Sequence, residues 1–154
     1  MDTAKLVELN AAYARAIDNE KFEDWPELFT DPCLYKVTTA ENVAKGYEAG
    51  IMYADSRGML QDRVSALRNA NIYERQRYRH IVGLPFVLGK DNDGATVETP
   101  FLIVRIMGNG TMEVFATGCY HDRVTADASG ALKFAERIVV CDGGRFDTLV
   151  AIPF

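Results

Sequence analysis

The period of the hydrophobic pattern changes once along this chain of 154 residues, and that change constrains the fold more than any motif does. Before Arg77, apolar residues recur at intervals of three and four. In "KLVELNAAYARAID", Leu6, Leu9, Tyr13, Ala16 and Ile17 share one face, which predicts an amphipathic helix. "FEDWPELFTDPCLY" predicts a short second helix with Pro26 in its first turn, ending before "TDP" and leading into an extended "CLYKVTT", with Trp25 and Phe29 in the core. "SRGMLQDRVSALRNAN" predicts a third. Ser56 can cap it, Met59, Leu60, Val64 and Leu67 form its apolar stripe, and Asn69 or Asn71 ends it.

From Arg77 onward the chain reads as long extended runs. They are broken by short turn signals at Lys90–Gly94, Gly108–Gly110 and Asp127–Gly130, with Asp142–Gly144 before a last run, "DTLVAIP". The run "TPFLIVRIM" is apolar on both parities apart from Arg105, which places it centrally, with "RYRHIVGLPFVL" and "MEVFATGCYHDRV" beside it. Helices followed by strands predict an α+β fold: three N-terminal helices packed on the concave face of a curled antiparallel sheet, as one domain over residues 1–154.

No apolar run approaches the ~20 residues of a membrane span, and the acidic, mixed N-terminus does not read as a signal peptide. Cys33, Cys119 and Cys141 are odd in number and sit in apolar runs, which fits reduced, buried thiols and a cytoplasmic protein.

The net charge of −5 is unevenly spread. Residues 1–56 hold 11 acids and 5 bases, residues 57–80 hold 2 acids and 6 arginines, and residues 81–154 hold 9 acids and 6 bases, giving −6, +4 and −3. The basic island has no lysine and lies in an acidic domain, which argues against nucleic acid. Arginine interleaved with Tyr73 and Tyr78 is instead the composition of a protein interface, so Arg75, Arg77, Tyr78 and Arg79 are candidate interface residues. Internal salt bridges to acids such as Asp62 and Glu74 are the competing reading.

His80 and His121 are the two histidines. Alternation places His80 with Tyr78, Val82, Leu84, Phe86 and Leu88 on an inward, apolar parity, and His121 with Glu113, Phe115, Thr117, Cys119 and Arg123 on the more polar one. A mononuclear iron site would need Asp31 or Asp122 to converge with both histidines, and nothing in the spacing requires it. Cys119-Tyr120-His121 is one half of a Rieske ligand pattern, but the sequence holds no Cys-x-x-His to supply the other. One enzymatic reading survives: an inward His80, with Asp31, Tyr13 and Tyr35, could move protons on a small apolar substrate, as in an isomerase or dehydratase.

The order "NAAYARAID", "WPELFTDPCLYKVTT", "MLQDRVSALRNANIYERQRYRHIVGLP", "FATGCYHDRV" and "ERIVVCD" resembles the small (beta) subunits of Rieske-type aromatic-ring-hydroxylating oxygenases over nearly the whole chain, most specifically from Met59 to Pro85. The resemblance implies a cystatin-like or nuclear-transport-factor-2-like cone. It implies a non-catalytic small subunit that joins a large (alpha) subunit, as three of each, with a trimer of this chain alone also open. It places the Rieske 2Fe–2S cluster and the mononuclear Fe(II) in the large subunit, fed with electrons from NADH through a separate reductase, and no cofactor here. The implied substrate is an aromatic carboxylic acid, terephthalate first, then salicylate, anthranilate or benzoate. No catalytic residue carries over.

Overall fold

A computed structural model describes residues 1–48, 50–69, 75–144 and 152–154. Helix α1 (Thr3–Asp18) starts where the Asp2 carboxylate accepts the Ala4 N–H, and it buries Leu6, Leu9, Asn10, Tyr13, Ala16, Ile17 and Asp18. The predicted stripe is there, with two polar residues added to it. The second predicted helix is instead a pair of 3-10 turns, Phe22–Asp24 and Pro26–Leu28. Pro26 has no N–H to donate to Phe22, and the Trp25 N–H takes the Phe22 carbonyl at 3.2 Å, which tightens the segment to a three-residue repeat.

Strand β1 (Phe29–Thr39) runs through "TDP" and ends on helix α2 (Ala40–Ala44), where Thr39 Oγ1 accepts the Asn42 N–H. After β2 (Met52–Ala54), helix α3 (Arg57–Asn69) is capped by Ser56 Oγ, which accepts the Met59 N–H at 3.1 Å. Leu60, Val64 and Leu67 are its buried stripe, whereas Met59 is exposed. Asn71, Tyr73, Glu74 and most of the predicted run "DTLVAIP" lie outside the described residues.

The remaining strands are β3 (Gln76–Val82), β4 (Phe86–Lys90), β5 (Ala95–Met107), β6 (Met112–Ala126) and β7 (Leu132–Cys141). The sheet order is β2-β1-β7-β6-β5-β3, with β4 also on β5, so "TPFLIVRIM" is flanked by both predicted neighbours. Gly110 and Gly130 take positive φ at the hairpin turns, a conformation that side chains disfavour. The sheet is mixed, not wholly antiparallel: β1 pairs with β7 in parallel, with Tyr35 opposite Arg137 and Val37 opposite Val139. Turn signals specify only strands that follow each other, and β1 and β7 are neighbours in the sheet although every other strand lies between them in sequence. No helix among the described residues is long and apolar enough to cross a membrane.

Helices and turns cover one face, and the interior between them is filled by side chains. Tyr13, Trp25, Phe29, Tyr35, Tyr120 and Arg137 are all 0% exposed. The Arg137 guanidinium carbon lies 3.8 Å from the Tyr120 ring centre, 3.9 Å from Phe134 and 4.3 Å from Tyr13. Its Nε and Nη2 donate to the Asp122 carboxylate at 2.8 and 2.7 Å, and Nη2 also donates to Asn10 Oδ1. Burial alone would lower the pKa of Arg137; the carboxylate of Asp122 outweighs it and raises it, so the guanidinium stays charged.

Removing one partner of a buried, hydrogen-bonded pair leaves a naked charge. Asp122→Ala is expected to lower unfolding stability by about 3–5 kcal/mol in urea denaturation. A loss under about 1 kcal/mol would show that water reaches Arg137 and that the interior is not sealed.

Candidate functional site

Strand β3 carries most of the candidate residues, and its alternation sorts them. Gln76, Tyr78 and His80 are buried, while Arg77, Arg79 and Ile81 are exposed, and Arg75 precedes them on the same parity. Tyr78, taken with the arginines from composition, leaves their row: it is 3% exposed and stacks on Phe115 at 5.2 Å on the inner face. Arg75 and Arg77 have no ion-pair partner among the described residues, and Asp62 pairs with neither. Arg79 Nη1 lies 4.0 Å from Asp18 Oδ2.

The arginines border apolar surface. Across the ladders, Arg77 faces Ile106 and then Met112, Arg79 faces Val104 and then Val114, and Ile81 faces Leu102. Met112 and Val114 are exposed, and the three β5 residues are half-buried. The strip continues through Leu84, in the link before β4 and 77% exposed, to Phe86 and Leu88 of β4, 67% and 53% exposed, although alternation predicted all three inward. The cause is a break in the strand. The Gly83 N–H donates to Pro100 O at 2.9 Å, and a Cβ at Gly83 would lie 2.7 Å from Pro100 Cγ, so the chain turns there and the parity is reset.

His80 is inward as predicted, but its partner is Asp18, which sequence reasoning missed. The Asp18 carboxylate accepts the His80 backbone N–H at 2.8 Å and meets Nδ1 at 2.6 Å. An acid at the end of a helix's apolar stripe, beside Ile17, was the available signal. Asp31 is exposed, with Oδ1 accepting the Arg57 N–H, and takes no part. The Tyr13 and Tyr35 hydroxyls both turn to Phe154, and Tyr35 also accepts the Phe154 N–H at 3.1 Å. The four groups of the isomerase-like reading are therefore not assembled into one site.

His121 lies on the outer face of β6, 3.3 Å from Glu98, and is half-exposed. His80 and His121 thus occupy opposite faces of the sheet, and Asp122 is committed to Arg137, so the residues weighed for an iron site do not converge. Among the described residues there is no group of three or more His, Cys, Asp or Glu arranged to hold a metal. Burial pushes the Cys33 thiol up to about 11 and the Cys141 thiol up to about 12, and raises Cys119 as well.

Residues 12–147 match the family described as ring hydroxylating beta subunit. The chain belongs to that family. It is 51% identical over 149 residues to subunit beta 1 of the terminal oxygenase component of terephthalate 1,2-dioxygenase from Comamonas sp, covering 97% of this chain and 96% of that one. It is 38% identical to the anthranilate 1,2-dioxygenase small subunit of Burkholderia cepacia, covering 94% and 89%. A crystal structure assigned as the beta subunit of an aromatic-ring-hydroxylating dioxygenase from Novosphingobium aromaticivorans superposes with a TM-score of 0.90 at 36% identity, covering 99% of this chain and 96% of that one. The α+β cone of this ring-hydroxylating beta subunit is therefore of the nuclear-transport-factor-2-like type; its partly parallel sheet and the 3-10 turns in place of the second helix depart from the expected architecture.

Two outcomes follow for this beta subunit. His80→Ala removes the partner of a buried carboxylate and should lower stability by about 1–3 kcal/mol in chemical denaturation. An unchanged midpoint would show that Asp18 is satisfied without the imidazole. Because raised pKa values keep thiols protonated near neutral pH, Cys33, Cys119 and Cys141 should react slowly with an aromatic disulfide reagent in the native protein and fully once unfolded. Fast native labelling at pH 7 would show that burial does not protect them.

Proposed function

We propose that this chain is the non-catalytic small subunit of a terminal oxygenase acting on an aromatic carboxylic acid, terephthalate first, with salicylate, anthranilate and benzoate as the next candidates. The observation that carries the reading is the outer face of β3, β5 and β6, where Arg75 and Arg77, without ion-pair partners among the described residues, border an exposed apolar strip. A charged residue with no partner beside apolar surface is suited to a second polypeptide, because both become useful only when water is removed. The substrate class is supported by the identity to the terephthalate relative.

In this reading the partner is the large subunit, three of each in the assembly. It supplies the Rieske 2Fe–2S cluster, the mononuclear Fe(II) and the substrate pocket, and a cytoplasmic reductase passes electrons to it without touching this chain. Arg75, Arg77 and Arg79 meet carboxylates of a neighbouring subunit, while Met112, Val114 and Leu84 cover apolar area around them. This chain contributes shape and affinity, not a reacting group.

Truncating a desolvated, forked pair at an interface costs about 2–5 kcal/mol, whereas an exposed pair costs under about 1 kcal/mol. Arg77→Ala or Arg79→Ala, co-expressed with the large subunit, should therefore release free small subunit in dilute size-exclusion chromatography, with the unfolding midpoint of the isolated chain little changed. An intact assembly with a lowered midpoint would move the partner-binding surface elsewhere.

A further inference from the structure

The interior of the cone encloses a residue of its own chain as a pocket encloses a small molecule. Phe154 is 0% exposed, and its ring stands edge-to-face with Phe115 at 5.5 Å and with Tyr78 at 6.2 Å. Its main chain meets hydroxyls. Tyr13 donates to the carbonyl oxygen, Tyr35 donates to the same oxygen at 3.4 Å, and the Phe154 N–H donates back to the Tyr35 oxygen at 3.1 Å. Buried main-chain groups mostly bond to other main chain. These two bond to side chains of α1 and β1 inside an aromatic box, which is how a pocket holds a ligand.

One donor of the box is unused. Trp25 is 0% exposed, and its Nε1–H has no hydrogen-bond partner among the described residues. The indole stands edge-to-face with the Tyr35 ring at 5.1 Å and also adjoins the Tyr13 hydroxyl, whose pKa burial raises while Arg137, Tyr35 and Trp25 lower it. Burial likewise raises Tyr35 well above its ordinary value, so both hydroxyls stay protonated and can donate. A carbonyl oxygen takes two of these three donors. A carboxylate brings a second oxygen, with lone pairs for the third, and out of water it needs that many donors.

We propose that this interior is a binding site for a 3-arylpropanoate, occupied here by Phe154 as a tethered stand-in for the ligand. The ring, Cβ, Cα and carbonyl carbon of Phe154 correspond to the ring, the two methylenes and the carboxyl carbon of 3-phenylpropanoate. The carboxylate takes Tyr13, Tyr35 and Trp25, and the ring takes the place beside Tyr78 and Phe115. A free ligand competes with the tether, which acts at an effective concentration on the order of millimolar. The site is distinct from the outer arginine face and does not rest on the subunit reading.

The test follows the fluorescence of Trp25, the single tryptophan of the chain and a wall of the site. The full chain with Phe154→Gly is titrated with 3-phenylpropanoate, and saturable one-to-one binding is expected, at least about tenfold tighter than to the parent, where the tether competes. The double variant Tyr13→Phe/Phe154→Gly should bind the probe at least about tenfold more weakly, and so should Phe154→Gly bind 3-phenylpropanol, which lacks the carboxylate. If Phe154→Gly is unfolded on its own, its refolding by the probe, read by circular dichroism, takes the place of the fluorescence titration. Neither saturation nor refolding up to about 10 mM probe would overturn the proposal. So would equal binding by the parent, which puts the site elsewhere, or equal binding of 3-phenylpropanol, which means an apolar hole and not a carboxylate site.

Discussion

The structure depends on one guanidinium kept out of water. An unpaired charge in the interior of a domain is too costly to tolerate, so the position of Arg137 is acceptable only with Asp122 opposite it, Asn10 beside it and three rings around it. Those partners come from different places. Asp122 is on β6, Asn10 and Tyr13 on α1, Tyr120 on β6 and Phe134 on β7 itself, so satisfying one charge fixes the docking of the helix and the register of two strands. A slip of β6 against β7 would separate the pair, and a shift of α1 would lose both the amide and a ring.

That arrangement decides where the chain can act. In a cone whose interior is occupied by Arg137 and by Tyr13, Trp25, Phe29, Tyr35 and Tyr120, the hydroxyls that an isomerase would need are turned to Phe154 and the carboxylate to the guanidinium. The polar groups that remain available are at the surface.

Much of this was legible in the sequence, and the parts that were not have physical reasons. The stripes of α1 and α3, the central place of "TPFLIVRIM" and the inward His80 all follow from period, because burial of alternate or every third-to-fourth residue is a local property. Arg137 was invisible for the same reason. A bulge between Phe134 and Glu136 in the β6–β7 ladder puts both Phe134 and Arg137 inward, which strict alternation forbids. The parallel contact of β1 with β7 has no local signal at all. Leu84, Phe86 and Leu88 were misplaced because Gly83 and Pro85 were read as part of a strand that they interrupt. Asp18 was passed over because an acid at a helix end is normally solvated, and only the tertiary contact with His80 makes it otherwise.

The inner and outer roles of β3 are held in phase by that same Asp18. Its carboxylate accepts both the backbone N–H and the ring of His80, so helix α1 grips the strand at one residue by two bonds. Side chains of a strand alternate with a period of two, and a shift of one residue would turn His80 outward and bring Arg79 into the core. The arginine row therefore faces outward for a reason that lies inside the protein. Composition alone marked Arg75, Arg77 and Arg79 as unusual, but their orientation is set by a carboxylate 57 positions before the first of them, which locks the one inward histidine and so turns its neighbours to the surface.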